Sequence, residues 1–584
     1  MRVTSSDSRG AVSLLAAALA AFAVSASAVS AGAVQRAFER REAYDAVERK
    51  SIIDLQMYRS ETEAVLPDAT PVSFMSLNPT INAWFLLGLG AEGNRRYYHL
   101  ENIDPEDQNL TLEAGDDPAL VITGAHGATR CTPWDGALDT ARQSGLPFAP
   151  VCDDRLYLRN PATGASTNLE RTTDFLRDHV WGGEQVVRFI RDNFFKDSYA
   201  ETSERLGTDG GEVPERGPTP LPLNVPDESR PVISTRHEFG LEGADPGRMT
   251  MGIWYPVSNL DGVYASTFQP GSISRDILNG PGRANRLDGY EARSTGYMVA
   301  FDLARYDIGF AKGTDHPRLD WSPRPPWSVK VQGLPGPDGF ASPDPVVPLG
   351  MVNPTDAART VGTFTAGYKR SHGAFKWGPF STVNFGSHYG FLEQGTIYSK
   401  LWPGLATLFV LDDGSVHMRT WTEEDAGLLP RLRFARQNGV ALVEPDPETG
   451  RPVPGRYVTQ WGPGNWSGSA EAELRTLRAG ACLMETDQTR YLVYGFFSTA
   501  TPSAMARTFQ GYGCQYAMLL DMNAPTLTYL ALYVRRSGSV HVEHLTPEMT
   551  EVDKRDRQGN VIPRFIGFPD NRDLFYVMRK EDAE

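Results

Sequence analysis

The chain has 584 residues, enough for two to four domains that each bury a core of their own. Its 72 acidic residues outnumber 57 basic ones and give a net charge of −15. The balance argues against a nucleic-acid-binding protein, because neutralising phosphates requires a positively charged face.

The first residues have the pattern of an export signal. Arg2 and Arg9 precede an apolar run over 11–24, and Ala26-Ser27-Ala28 provides a small-residue cleavage site. The pattern predicts a signal peptide over residues 1–28 and a periplasmic or extracellular protein. The alternative is an uncleaved anchor that holds the protein at the membrane, because apolar residues continue to about Val34.

The four cysteines fit an oxidising compartment. Cys131 and Cys152 can close a loop of about twenty residues, for which chain entropy gives about 3 kcal/mol of stabilisation. Cys482 and Cys514 can form the second pair, and the alternative is four buried thiols. The spacings contain no Cys-x-x-Cys and no Cys/His cluster, so the sequence predicts no metal site, and no cofactor is expected.

Residues 36–200 are predicted to form a smaller N-terminal domain of mixed α/β structure and unknown role. The run over 119–124 has the composition of a strand. The segment from Thr167 to Phe195 favours a helix, because Thr167 and Glu170 have the spacing of a capping box. Residues 201–230 contain five prolines and hardly any large apolar side chain, so they are expected to be an extended or disordered linker between domains.

Residues 231–584 predict an α+β domain with a mixed sheet. Two strands meet at Asp413-Gly414, a hairpin signal. Near the C-terminus a strand over 490–497 is followed by a helix that Thr501 caps and Pro502 begins, and then by a second strand over 515–521. A crossover helix of this kind predicts that the two strands are parallel.

The second strand is an apolar run that stops at Asp521 and Asn523. A continuous apolar run indicates a strand covered on both faces, and ligands bind at the carboxyl ends of strands in parallel sheets. Asp521 and Asn523 are therefore candidates for a site. The alternative is that Asp521 caps a turn and Asn523 adopts a left-handed backbone.

Five fragments resemble, in their order and spacing, the phosphodiester glycosidase domain family, whose best-known member uncovers mannose 6-phosphate. They are TAGYK (365–369), HYGFLEQG (388–395), RQNGVALV (436–443), RAGACL (478–483) and YAMLLDMNAP (516–525). The resemblance covers roughly residues 290–535. The glycines that follow the aspartate in the family are replaced here by Met522, Asn523 and Ala524, and Pro525 has no amide to offer a phosphate.

The resemblance implies hydrolysis of the bond between a sugar's anomeric carbon and a phosphodiester. This reaction requires a carboxylate beside the developing oxocarbenium ion and cations or donors around the phosphate. Asp521 and Arg478 are the catalytic candidates, and Glu393 and Glu485 are possible partner acids that are expected on solvent faces. The substrate-binding candidates are Thr365, Lys369, His388 and Asn523.

The expected ligand is therefore a glycan or sugar phosphodiester at the cell surface or outside the cell. The alternative is a non-catalytic protein that retains the fold and binds glycan or an envelope partner. The enzymatic hypothesis requires Asp521, Arg478 and residues 365–369 to line one cleft.

Overall fold

The computed structural model describes residues 51–52, 56–125, 127–179, 196–208, 217–226, 230–315, 339–340, 346–368, 389–460 and 473–581. The predicted signal peptide and the candidates Lys369 and His388 lie outside these ranges. Within them, no helix has the length and apolar composition that crossing a membrane requires.

The N-terminal region is built mainly from antiparallel strands. Its elements are β1 (Ser51–Ile52), β2 (Ser60–Val65), β3 (Pro71–Ser76), β4 (Trp84–Leu89), β5 (Arg96–Asn102), β6 (Asn109–Glu113), β7 (Ala119–Gly124), β8 (Gly127–Cys131), α1 (Ala137–Gln143), β9 (Phe148–Val151), β10 (Leu156–Arg159) and α2 (Asn168–His179). Six strands form a sheet in the order β2-β3-β4-β5-β10-β9, and β6, β7 and β8 form another. The two sheets enclose one apolar core, beside which the predicted Cys131–Cys152 disulfide lies.

The remaining residues also form mostly strands. The first group is β11 (Arg205–Thr208), β12 (Pro231–Ser234), β13 (Arg248–Thr250), β14 (Tyr255–Pro256), β15 (Val263–Phe268), α3 (Arg275–Leu278), β16 (Gly296–Asp302), β17 (Tyr306–Ala311), β18 (Gly339–Phe340), α4 (Pro354–Ala357), β19 (Thr360–Thr365), β20 (Phe391–Glu393), β21 (Thr396–Ser399), β22 (Ala406–Leu411), β23 (Val416–Thr420), β24 (Leu432–Gln437), β25 (Ala441–Pro445) and β26 (Pro452–Pro454). The second group is β27 (Thr476–Glu485), β28 (Arg490–Ala500), α5 (Pro502–Gly511), β29 (Cys514–Met522), β30 (Leu530–Arg536), β31 (Ser539–His544), β32 (Lys554–Arg555), β33 (Val561–Ile562) and β34 (Leu574–Arg579). Short 3-10 helices occur at Pro270–Ser272, Glu291–Arg293, Glu424–Arg431 and Pro547–Val552. The molecule is therefore mostly β-sheet, which is compatible with an α+β or a mainly-β class.

An eight-stranded sheet, in the order β14-β15-β16-β28-β27-β29-β25-β26, forms the centre of this half. Leu477, Ala479 and Ala481 point to one core, which also includes two five-stranded sheets with the orders β17-β34-β19-β30-β31 and β21-β20-β24-β22-β23. Cys482 and Met484 point to a second core that α5 covers. The sheet is therefore buried on both faces, which accounts for the continuous apolar runs of its strands.

The α5 helix packs against the sheet at a point where two paired residues have no side chain. Gly480 and Gly495 are directly opposite each other on β27 and β28, and a Cβ on either would come within 3.0 Å of the Phe509 ring. Thr501 caps the helix by accepting a hydrogen bond from the Ala504 amide at 3.2 Å, and Pro502 follows it, as predicted.

The predicted mixed sheet is wrong, because every described strand pairing in the eight-stranded sheet is antiparallel. β28 and β29 run in the same direction, as the crossover predicts, but β27 lies between them and is antiparallel to both. The connection fixes the relative direction of the two strands and not their adjacency. The expected burial of β29 is confirmed, since eight of its nine residues are buried.

The described part of the predicted linker, residues 217–226, packs against the second half. Leu223 is fully buried in the core under α5. The Pro218 carbonyl accepts hydrogen bonds from the hydroxyls of Tyr264 and Tyr491 at 2.8 and 2.7 Å. The expected linker therefore packs into a core over these residues, because a proline-rich chain still offers carbonyl acceptors and a leucine side chain. The predicted domain boundaries stay a prediction.

Candidate functional site

Asp521 lies where β29 bulges away from β27. Gly480 pairs with Leu519 and Arg478 pairs with Met522, so β29 has one more residue than β27 over this interval. A bulge of this kind redirects a side chain. The Asp521 carboxylate is 2% exposed and accepts hydrogen bonds from Arg572 Nη1 at 2.6 Å and from the Met522 amide at 2.9 Å.

Arg478 is fully buried beside the residue that follows Asp521. Its Nε donates to the Ala500 carbonyl and its Nη2 to the Leu474 carbonyl, both at 2.9 Å, and its Nη1 lies 3.5 Å from Met522 Sδ. The arginine that forms an ion pair with Asp521 among the described residues is Arg572. The two catalytic candidates are therefore brought to the same end of β29, and a second arginine joins them.

Arg572 comes from the loop before β34 and joins two carboxylates. Its Nε and Nη2 donate to Glu170 Oε1 at 2.9 and 2.6 Å, and its Nη1 donates to Asp521. The sequence reasoning missed this residue. The available signal was the run Asp570-Asn571-Arg572-Asp573, where charges of both signs directly precede an apolar strand.

Two further arginines form buried ion pairs next to Arg572. Arg564 binds Asp570 through two hydrogen bonds of 2.8 and 3.0 Å. Arg436 Nε lies 2.9 Å from Asp573 Oδ2. We call Arg436, Arg564 and Arg572 the arginine cluster; all three are at most 2% exposed. Removing each ion from water costs several kcal/mol, and charged groups that remain buried are a feature of functional sites as well as of structural networks.

The end of β19 reaches this cluster. Thr365 is buried and its hydroxyl donates to the Leu527 carbonyl at 2.6 Å. The next residue, Ala366, donates its amide to the Asp573 carbonyl at 2.9 Å, and the Tyr368 carbonyl accepts from Arg436 Nη2 at 2.6 Å. The described part of the fragment 365–369 is therefore close to the acidic and basic groups of the cluster.

Asn523 has the left-handed backbone of the alternative interpretation, with φ of 84°. Its side-chain oxygen accepts from the Thr476 hydroxyl at 3.2 Å, which ties the chain after Asp521 to β27. Asn438, in the fragment 436–443, is fully buried; it accepts from the Tyr368 amide and donates to the Leu519 and Leu520 carbonyls. Asn438 therefore joins the end of β19 to the strand that carries Asp521.

The two possible partner acids lie in different environments. Glu485 is exposed, as expected, and it pairs with Arg490. Glu393 is 3% exposed, so its expected place on a solvent face is wrong. Burial raises the pKa of Glu393 to about 7, although Arg159 and the Lys312 amide oppose this shift. Two consecutive residues connect Glu393 to the arginine cluster. Lys312 donates its amide to Glu393, and Gly313 donates its amide to Asp573.

The predicted Cys482–Cys514 disulfide joins β27 to β29, the strands that carry Arg478 and Asp521. Both predicted disulfides are present, and they fit an oxidising compartment. Within the described ranges, no group of three or more His, Cys, Asp or Glu side chains is arranged to hold a metal ion.

Comparisons with known proteins do not assign the chain to a family. No protein-family model matches the sequence, and no curated protein matches it. One of the solved structures that match is a Burkholderia pseudomallei protein described as a "Putative exported protein", which is 13% identical over 89% of this chain and 96% of that chain, with a TM-score of 0.15. A TM-score this low carries no argument, so the resemblance to phosphodiester glycosidases stays a prediction that rests on the five fragments.

Proposed function

We propose that this protein is an exported hydrolase that cleaves a sugar phosphodiester linkage in a surface or extracellular glycan. The observation that supports the proposal is the convergence of all five fragments of the resemblance. Arg436 donates a hydrogen bond to the Tyr368 carbonyl, and it lies opposite Phe391 in the pairing of β24 with β20. Asn438 contacts the strand that ends at Asp521, and Arg478 contacts the residue after it.

The proposed chemistry assigns one role to each charge. Asp521, at the carboxyl end of β29, stabilises or traps the oxocarbenium ion that develops as the glycosidic bond breaks. Arg478 is assigned to the phosphodiester, because a planar guanidinium matches phosphate oxygens. Binding through Nε and Nη2 requires them to exchange the Ala500 and Leu474 carbonyls for phosphate oxygens. Arg572 holds the Asp521 carboxylate in place at 2.6 Å. Since a phosphodiester is already a fair leaving group, the reaction makes a modest demand on a general acid.

The alternative proposal is a non-catalytic protein that binds glycan or an envelope partner. It is favoured by the engagement of both Asp521 oxygens, one by Arg572 and the other by the Met522 amide. It is also favoured by Pro525, which replaces a residue that could offer an amide to phosphate.

A turnover assay with aryl phosphodiesters of several sugars tests both proposals. We expect the wild-type protein to release the sugar and Asp521→Asn to lose at least about 100-fold in kcat/KM, because the amide lacks the negative charge. Asp487→Asn, at an exposed turn, is the matched control and should retain full activity. Calorimetric binding without turnover supports the alternative, and neither binding nor turnover contradicts both.

A further inference from the structure

The first turn of α2 contributes a side chain to the candidate site. The Thr167 amide donates to Glu170 Oε2 and the Glu170 amide donates to the Thr167 hydroxyl, both at 3.1 Å, which is the predicted capping box. The capping box uses one carboxylate oxygen of Glu170. The other oxygen accepts two hydrogen bonds from Arg572, from a position 402 residues away in the chain.

The backbone before α2 is also joined to the loop that carries Arg572. The Ala165 amide donates to the Pro569 carbonyl at 2.8 Å, and the Asn571 amide donates to the Ala165 carbonyl at 3.1 Å. A Cβ on Gly164 would lie 2.5 Å from the Asn571 nitrogen, so the two backbones approach as closely as a glycine permits. The segment 164–170 therefore braces residues 569–572 through both backbone and side chain.

We propose that Glu170 is a positioning residue for the site, and that the N-terminal region is in this way part of it. Two of the three described side-chain hydrogen bonds of Arg572 go to Glu170, and the third goes to Asp521. Without the Glu170 charge, Arg572 Nε and Nη2 would lose the carboxylate that accepts their two described hydrogen bonds, and the guanidinium would turn away from Asp521. The effect on turnover rests on the proposed function, whereas the effect on the position of Arg572 does not.

Two substitutions separate the two tasks of Glu170. Glu170→Gln keeps a residue that serves in a capping box, but when its oxygen accepts from the Thr167 amide its NH2 group faces the Arg572 donors. Thr167→Ala removes the reciprocal cap and the 3.5 Å contact of the hydroxyl with Glu170 Oε2. It keeps the Thr167 amide that donates to Oε2 and the Oε1 atom that accepts from Arg572. Both variants perturb the same helix, and only the first perturbs Arg572.

Crystal structures of the wild-type protein and both variants give a readout that does not depend on activity. We expect Arg572 Nη1 to stay within hydrogen-bond distance of Asp521 in wild type and Thr167→Ala, and to move out of that distance in Glu170→Gln. If Glu170→Gln does not fold, Glu170→Asp replaces it, because a carboxylate one methylene shorter cannot reach both Thr167 and Arg572. An Arg572 that keeps its place in the Glu170 variant overturns the inference.

Steady-state kinetics with the aryl phosphodiester that wild type turns over best gives the second readout. We expect Glu170→Gln to lower kcat by about 10- to 100-fold, because a small misplacement of a reacting group is costly. KM should remain within about threefold, and Thr167→Ala should keep both constants. An unchanged kcat in Glu170→Gln overturns the role in turnover. If wild type shows no turnover, the proposed function fails, and the crystal structures alone decide whether Glu170 positions Arg572.

Discussion

Glu393 is a buried carboxylate that shares the Arg159 guanidinium with Glu101. Its Oε1 lies 3.6 Å from Arg159 Nη2, while Arg159 Nη1 forms a closer contact of 2.6 Å with Glu101. The Lys312 amide adds a hydrogen bond of 2.9 Å to its other oxygen. Burial outweighs these contacts and raises the pKa of Glu393 to about 7. At neutral pH this side chain therefore retains a proton in a large fraction of molecules.

We expect Glu393 to make the protein less stable as the pH rises from about 4.5 to about 7. The carboxyl ionises near pH 4.5 in the unfolded chain, whereas the native state holds the proton to about pH 7. The native state therefore binds more protons in this window. The stabilisation that the native state gains by holding this proton is complete below pH 4.5 and is lost as the pH rises through 7. The free energy of unfolding therefore falls by about 3 kcal/mol over this window. Urea unfolding at several pH values should show this fall in the free energy of unfolding with pH for wild type and for the exposed control Glu485→Gln. An equal slope in Glu393→Gln would contradict the assignment.

At the scale of elements, the sequence predicts the features that depend only on residues close together in the chain. The capping residue of α5, the hairpin at Asp413-Gly414 and the burial of β29 are all predictable, because each depends on neighbours in the sequence or on one strand's composition. The insertion of β27 between β28 and β29 is not, since antiparallel and parallel neighbours bury the same side chains. The predicted mixed sheet is wrong for this reason.

The charged residues of the site also divide into those that the sequence identifies and those that it does not. Asp521 and Arg478 are identifiable because they end or begin apolar runs within the fragments of the resemblance. Arg572 and Glu170 are separated by 402 residues and come from a loop and a helix that share no sequence pattern. Only the folded arrangement places them together, so the sequence predicts the carboxylate and not the guanidinium that holds it.

The cap of α5 supplies the prediction at this scale. Thr501→Ala should lower the free energy of unfolding by about 1 kcal/mol, because the buried Ala504 amide loses its acceptor. Thr501→Ser keeps the hydroxyl and should remain within a few tenths of a kcal/mol of wild type. Urea unfolding followed by circular dichroism measures both variants. If the serine and alanine variants unfold at the same urea concentration, the hydroxyl does not stabilise the helix.

At the scale of the whole molecule, the two halves share an apolar core to which Ile81 and Trp84 contribute, and buried charges also join them. Arg159, at the end of β10, binds Glu101 in its own sheet and donates Nε to the Val347 carbonyl of the second half at 3.0 Å. Glu170 and Ala165 bind the loop at 569–572. The predicted linker supplies Leu223 to the core beneath α5. The proline-rich composition of this segment does not show which of its few leucines has a pocket to fill.

Leu221 and Leu223 therefore form a matched pair, two residues apart in the same segment. Leu223 is fully buried, whereas Leu221 is 40% exposed. We expect Leu223→Ala to lower the free energy of unfolding by about 2–5 kcal/mol, since it leaves a cavity beside α5. Leu221→Ala should cost much less, because its backbone carbonyl still accepts from Trp254 Nε1. Urea unfolding of both variants measures the difference. A segment that only connected two domains would tolerate both substitutions equally, and equal midpoints would therefore show that residues 217–226 contribute no core to the second half.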